Sequence, residues 1–129
     1  MTEFTNQTTT SFEIDMTPGD AFVVDSGRMN FTKTWNGAMF GHGEGVMLSA
    51  GNPTTGTAGY VALEKFTGTI DGRNGTCFLQ QLGAMTGGHQ DLRYQVVPGS
   101  GTGDLKGITG VLDLTVNDGA HSGVLHYSI

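Results

Sequence analysis

A chain of 129 residues is long enough for one hydrophobic core and too short for two ordinary ones, so a single domain spanning 1–129 is expected. Twelve acidic against six basic residues give a net charge of -6, which disfavours phosphate backbones and anionic lipid; nucleic acid and membranes are not expected partners. One cysteine, Cys77, permits no internal disulfide, and the opening MTEFTNQTTTSF has neither a basic start nor an apolar segment, so a cytoplasmic location is expected.

In chain order, residues 1–9 are expected to be flexible. Period-two alternation bounded by glycine, proline and asparagine then predicts eight strands, near 10–16, 27–35, 38–50, 57–71, 76–86, 91–98, 109–117 and 121–129. Asn36-Gly37 reads as a two-residue hairpin turn pairing Trp35 with Ala38, Lys33 with Phe40, Phe31 with His42 and Met29 with Glu44. The GNPTTG turn at 51–56 pairs Leu48 with Tyr60, Val46 with Ala62, Glu44 with Glu64 and His42 with Phe66. Gly72-Arg73-Asn74-Gly75 closes the longest hairpin, pairing Asp71 with Thr76. The segment GSGTGDLKGITG lacks the order of a phosphate-binding loop and reads as a corner with one helical turn at 104–107.

Eight strands with short links predict an all-β, antiparallel meander that closes into a barrel and so removes its exposed edges. At this strand number the interior is either filled by side chains or holds one small ligand. Alternation assigns Phe31, Lys33, Trp35, Phe40, His42, Glu44, Tyr60, Glu64, Phe66, Leu79, Gln81 and Met85 to the interior face, although a bulge at Asn36-Gly37 within one continuous strand would reverse Phe31, Lys33 and Trp35. The other face is polar except for Met47, Val61, Leu63 and Leu82. The Val61 and Leu63 cluster suits a subunit contact in a homodimer or homotrimer.

Three stretches together, GYVALEKFTGTIDGRNGTCFLQQLGAM, VVPGSGTGDLKGITG and DGAHSGVLHYSI, resemble the bacterial family known as domain of unknown function 3224, over about residues 31–129. The resemblance implies an allene-oxide-cyclase-like barrel, an architecture also found in dirigent proteins, and implies no established reaction. Glu64 and His121 match the family's pattern. The pattern has histidine in many members where Gln81 stands, an acidic residue for Ala38 and aromatic residues for Gly123 and Leu125. Loss of bulk at 123 and 125 is expected to widen the interior there.

Among candidate catalytic residues, Glu64 lies against Tyr60 and Phe66, where desolvation raises a carboxyl pKa and suits general acid-base chemistry. The competing role is a structural carboxylate paired with Lys33 or with the tyrosine hydroxyl. His121, on the same alternate positions as Tyr127, is the second catalytic candidate. Glu44 opposite Glu64 would form a carboxylate pair. His42, Glu44, Glu64 and His121 could share a metal, but no HExxH spacing or cysteine pair accompanies them and none is expected. Lys33, Trp35, Phe40, His42, Glu44, Tyr60, Phe66, Gln81, Met85, Tyr94 and Tyr127 are the expected substrate-binding residues. Cys77 reads as a small core side chain.

These residues favour a barrel that binds a small, mostly apolar molecule inside. Catalysis, if present, would be a cofactor-free cyclisation or isomerisation, which requires a shaped cavity, a proton-moving group and exclusion of water. The alternatives are a non-catalytic carrier or sensor of the same ligand and a structural barrel with a filled core.

Overall fold

A computed structural model describes residues 3–129 and shows a closed barrel of eight antiparallel strands in sequential order. They are β1 (Asn6–Pro18), β2 (Gly27–Gly37), β3 (Met39–Asn52), β4 (Thr57–Ile70), β5 (Arg73–Thr86), β6 (His89–Val96), β7 (Thr109–Asn117) and β8 (Ala120–Ser128). Single 3₁₀ turns occupy Pro53–Thr55 and Gly103–Leu105. Residues 6–9 are not a flexible tail: Asn6 to Thr9 pair with Tyr127 to Val124 and close the barrel. Met1 and Thr2 lie outside the described residues.

Each turn sets a register, and the expected registers fail in two different ways. The β4–β5 hairpin turns at Asp71-Gly72, whose φ values of 50° and 82° meet the demand of a type I′ turn for positive φ at both central residues. Phe66 therefore pairs with Cys77 and Glu64 with Leu79, a slip of four residues from the expected pairing that leaves every side chain on its expected face. At β3–β4, by contrast, Asn52 pairs with Thr57 around the Pro53–Thr55 turn, and Glu64 faces Gly45 instead of Glu44. That odd shift turns β3 over: Phe40, His42 and Glu44 point to solvent, and Met47 points inward.

Asn36-Gly37 does not form the expected tight hairpin, because β1 competes for the same backbone. Gly37 pairs with Thr10, the Ala38 amide donates to Thr9, and the Thr10 hydroxyl is shared by the Asn36 and Met39 carbonyls. Trp35 accordingly pairs with Gly41 across a wider connection. Phe31, Lys33 and Trp35 still face inward, as expected.

The inward positions opposite Lys33, Trp35 and Phe31 on β3 are the glycines of the GHGEG run. A Cβ at Gly43 would collide with the Glu64 carboxylate, and one at Gly45 with the Phe31 ring and the backbone of β4. The GHGEG run therefore leaves room for large groups from β2 and β4. One end of the barrel is filled: Met39, Phe66, Ile70, Cys77, Leu79, Leu105, Ile108, Leu125 and Tyr127 are all fully or nearly fully buried. Leu105 and Ile108, from the segment joining β6 to β7, plug this end, with Leu105 packed beside Gly75 of β5, while β6 and β7 share a single bridge, Gln95 with Val111. At this end Tyr127 donates to Asp71, Arg73 donates to Tyr127 at 3.2 Å and Thr8 donates to Asp71 at 2.9 Å.

The observed face of β3 gives a direct test. Gly43→Ala should destabilise the protein by about 1–3 kcal/mol through overpacking. His42→Ala, on the adjacent outward position, should change it by no more than about 0.5 kcal/mol. Urea unfolding of the two variants checks both expectations, and equal effects would refute the assignment.

Candidate functional site

Lys33 from β2 and Glu64 from β4 meet in mid-barrel, 2 % and 1 % exposed. The Lys33 Nζ donates to Glu64 Oε1 at 2.8 Å and to the Tyr94 hydroxyl at 2.7 Å. Trp35 Nε1 donates to Glu64 Oε2 at 2.9 Å, and the Tyr94 hydroxyl donates to Oε1 at 3.2 Å. Both carboxylate oxygens are thus engaged, as a buried charge requires. Four rings surround the ammonium, with centroids 4.3 Å (Phe12), 5.1 Å (Phe31), 5.3 Å (Trp35) and 5.1 Å (Tyr94) from Nζ. Burial pushes the Lys33 ammonium below its ordinary range, opposed by the Glu64 charge and its hydrogen bond. Burial, reinforced by Glu64, holds the Tyr94 phenol well above its own.

Above this level the barrel is hollow. A cavity of about 520 Å³ lies at the end formed by the β1–β2, β3–β4, β5–β6 and β7–β8 connections. The boundary falls at the same depth all round the barrel: Phe31 lines the cavity and Trp35 does not, Ala62 does and Phe66 does not, Leu92 does and Tyr94 does not. Phe12 sits at the junction, 4.7 Å from the Trp35 ring and stacked at 4.8 Å on His121. The wall is mainly apolar, with Ile14, Met16, Met47, Met85 and Leu114. Its inner polar groups are Lys33, Tyr60, Gln81 and His121. Tyr60 lies across Gly83, where a Cβ would strike its ring, and donates to Gln81 Oε1 at 2.9 Å.

Of the expected site residues, Lys33, Tyr60, Gln81, Met85 and His121 line the cavity. Trp35, Glu64, Phe66 and Tyr94 lie beneath it in the packed layer, so Glu64 supports Lys33 from below and does not face the cavity. Tyr127 belongs to the sealed end. Phe40, His42 and Glu44 are corrected to the outer surface, where Glu44 pairs with Lys65 and not with Glu64. His42 and Glu44 therefore cannot join Glu64 and His121 around a metal. The widening expected at Gly123 is absent, because Leu112 fills that space: a Cβ there would come within 3.0 Å of its Cδ1. Leu125 is in the core.

Sequence reasoning missed Phe12 and Met47. The alternation of Phe12, Ile14 and Met16 was available as a signal, whereas Met47 required the β3 register. Cys77 is buried in the filled half, and burial together with the Glu64 charge pushes its thiol up to about 12, so it is no nucleophile at neutral pH.

The ion pair should behave as a unit. Lys33→Met leaves a buried carboxylate without its cation and should destabilise the protein by about 3–5 kcal/mol, while adding Glu64→Gln should recover most of that loss. A double-mutant cycle by urea unfolding measures the coupling, and simple additivity would refute it.

Comparison with known proteins places these features in a wider set. The family model described as "Protein of unknown function (DUF3224)" matches residues 7–127. The crystal structure of a protein of unknown function from the DUF3224 family of Shewanella oneidensis MR-1 is similar, with a TM-score of 0.89, 36% sequence identity and 96% of each chain covered. No curated protein matches the chain. A family match running from β1 to β8, together with a shared fold at that identity, shows that the chain belongs to the DUF3224 family.

Proposed function

We propose that this protein binds a small, mostly apolar molecule inside the open half of the barrel. The observation that carries this reading is the cavity of about 520 Å³ above a sealed polar layer, within the size range of sites for small organic ligands. Methionines 16, 47 and 85 give it a soft wall that adapts to ligand shape. A completely filled interior would not present such a void.

A catalytic version of this reading rests on His121. It is a titratable group on the cavity wall with no hydrogen-bond partner among the described residues, and its ring is held by stacking on Phe12. Such an imidazole can take a proton from a bound ligand and return it elsewhere, which is the chemistry of a cofactor-free isomerisation or cyclisation. Glu64, engaged below, contributes by fixing Lys33. A carrier would need the cavity and not the imidazole.

The outer face supports self-association. Leu48, Val61 and Leu82 form one row across β3, β4 and β5, with Val46 and Leu63 beside them. Val61, Leu63 and Leu82 are about half exposed. An apolar sheet surface of this kind suits a homodimer or homotrimer.

Native mass spectrometry of the purified protein should show a bound small molecule and an assembly of two or three subunits. Ala58→Trp, which fills the cavity near its opening, should abolish the ligand peak and leave the fold intact; retention of ligand would overturn the binding reading. With the ligand identified, His121→Asn should retain binding and lose turnover by about 10²-fold or more. Absence of turnover in the unmodified protein would leave the carrier reading in place.

A further inference from the structure

The cavity reading above leaves open which polar group the mostly apolar ligand carries, and the layer beneath the cavity decides it. Within the pair, the lysine reaches the cavity wall and its carboxylate partner does not. Their charges cancel, so the floor carries no net charge that would favour an ionic ligand; the Nζ lies 4.3 and 5.1 Å from the rings of Phe12 and Phe31, which line the cavity, so the positive end of the pair is the end nearer the cavity. Electron-rich atoms are favoured at that end.

A second group, on another strand, has the same preference. The Gln81 side-chain oxygen is taken up by the Tyr60 hydroxyl, and among the described residues its amide nitrogen has no partner. Gln81 is half-buried on the wall, so a ligand that excludes water must supply an acceptor or leave those N–H groups unpaired. Lys33 has spent two of its three ammonium protons, on Glu64 and Tyr94. At the opposite end, Asp91 stands exposed at the cavity's rim and works against the approach of anions.

We infer that the ligand is a neutral apolar carbonyl compound bound oxygen-first, with its oxygen accepting from the Gln81 amide above the positive end of the Lys33–Glu64 pair. Its hydrocarbon body lies against Phe31, Met47 and Met85 towards the opening. This inference rests on the cavity reading. It also fits His121 as a proton carrier, because a carbonyl oxygen held by donors acidifies the adjacent C–H.

The test uses four probes of one length, methyl octyl ketone, n-decane, decanoate and decylamine, titrated into the wild type and Gln81→Leu. The ketone should bind the wild type, and Gln81→Leu should weaken it about three- to tenfold relative to its effect on decane, the usual size of one hydrogen bond. Decanoate and decylamine should bind much more weakly than the ketone. Equal effects of Gln81→Leu on ketone and decane, or tighter binding of either ion, would overturn the inference while leaving the apolar cavity standing. Failure of all four probes to bind would overturn the cavity reading and this inference with it.

Discussion

The rest of the interior is arranged around one buried ion pair. Two charges removed from water must be matched by each other and by neutral donors, and a buried pair with an unmet lone pair would cost several kcal/mol. Lys33 and Glu64 meet that requirement through Trp35 and Tyr94, residues on strands β2 and β6. The requirement also reaches β3, where only glycine at position 43 leaves room for the carboxylate. Side chains from β2, β4 and β6, with the bare backbone of β3, are thereby fixed in one layer at mid-depth of the barrel.

That depth separates two kinds of packing. Below it, large apolar side chains and the Leu105–Ile108 plug fill the barrel, and the Asp71, Arg73, Tyr127 and Thr8 network closes the end. Above it, the small inward residues Ala58 and Ala62 leave the centre empty. The filled half supplies the burial that holds the fold, and so releases the other half from the need to be packed. A cavity at one end of a small barrel follows from that division of labour.

The charge arrangement gives the hollow half its chemical character. A single buried cation would call for an anionic ligand, but the internal carboxylate neutralises Lys33. What remains are oriented donors, a mainly apolar wall and the His121 imidazole, which has no hydrogen-bond partner among the described residues.

Strand number, antiparallel order and closure were legible in the sequence, because alternation and turn residues are local signals. The inward set on β4, namely Tyr60, Glu64 and Phe66, was legible too, and it survived a four-residue error in the β4–β5 turn because an even slip preserves the faces; the inward facing of Phe31, Lys33 and Trp35 on β2 hung on how the chain passes Asn36-Gly37. Asp71-Gly72 was a readable turn signal, masked by the glycine at 75. The face of β3 was not legible. Asn36-Gly37 is a strong hairpin signal taken alone, and only the competing pairing of Gly37 with Thr10 on β1 overrides it.

Phe40, His42 and Glu44 thus went to the wrong side on odd shifts at both turns of β3, Lys33 facing Gly43 instead of Phe40 and Glu64 facing Gly45 instead of Glu44, and with them went an apparent carboxylate pair and an apparent metal set. The sequence by itself determined the barrel and the Lys33–Glu64 layer, since periodicity and the need to pair a buried charge operate within and between neighbouring strands. Only the tertiary structure decided how deep each residue sits and which of them reach the cavity. Depth depends on strand stagger around a closed circuit, which no local pattern encodes.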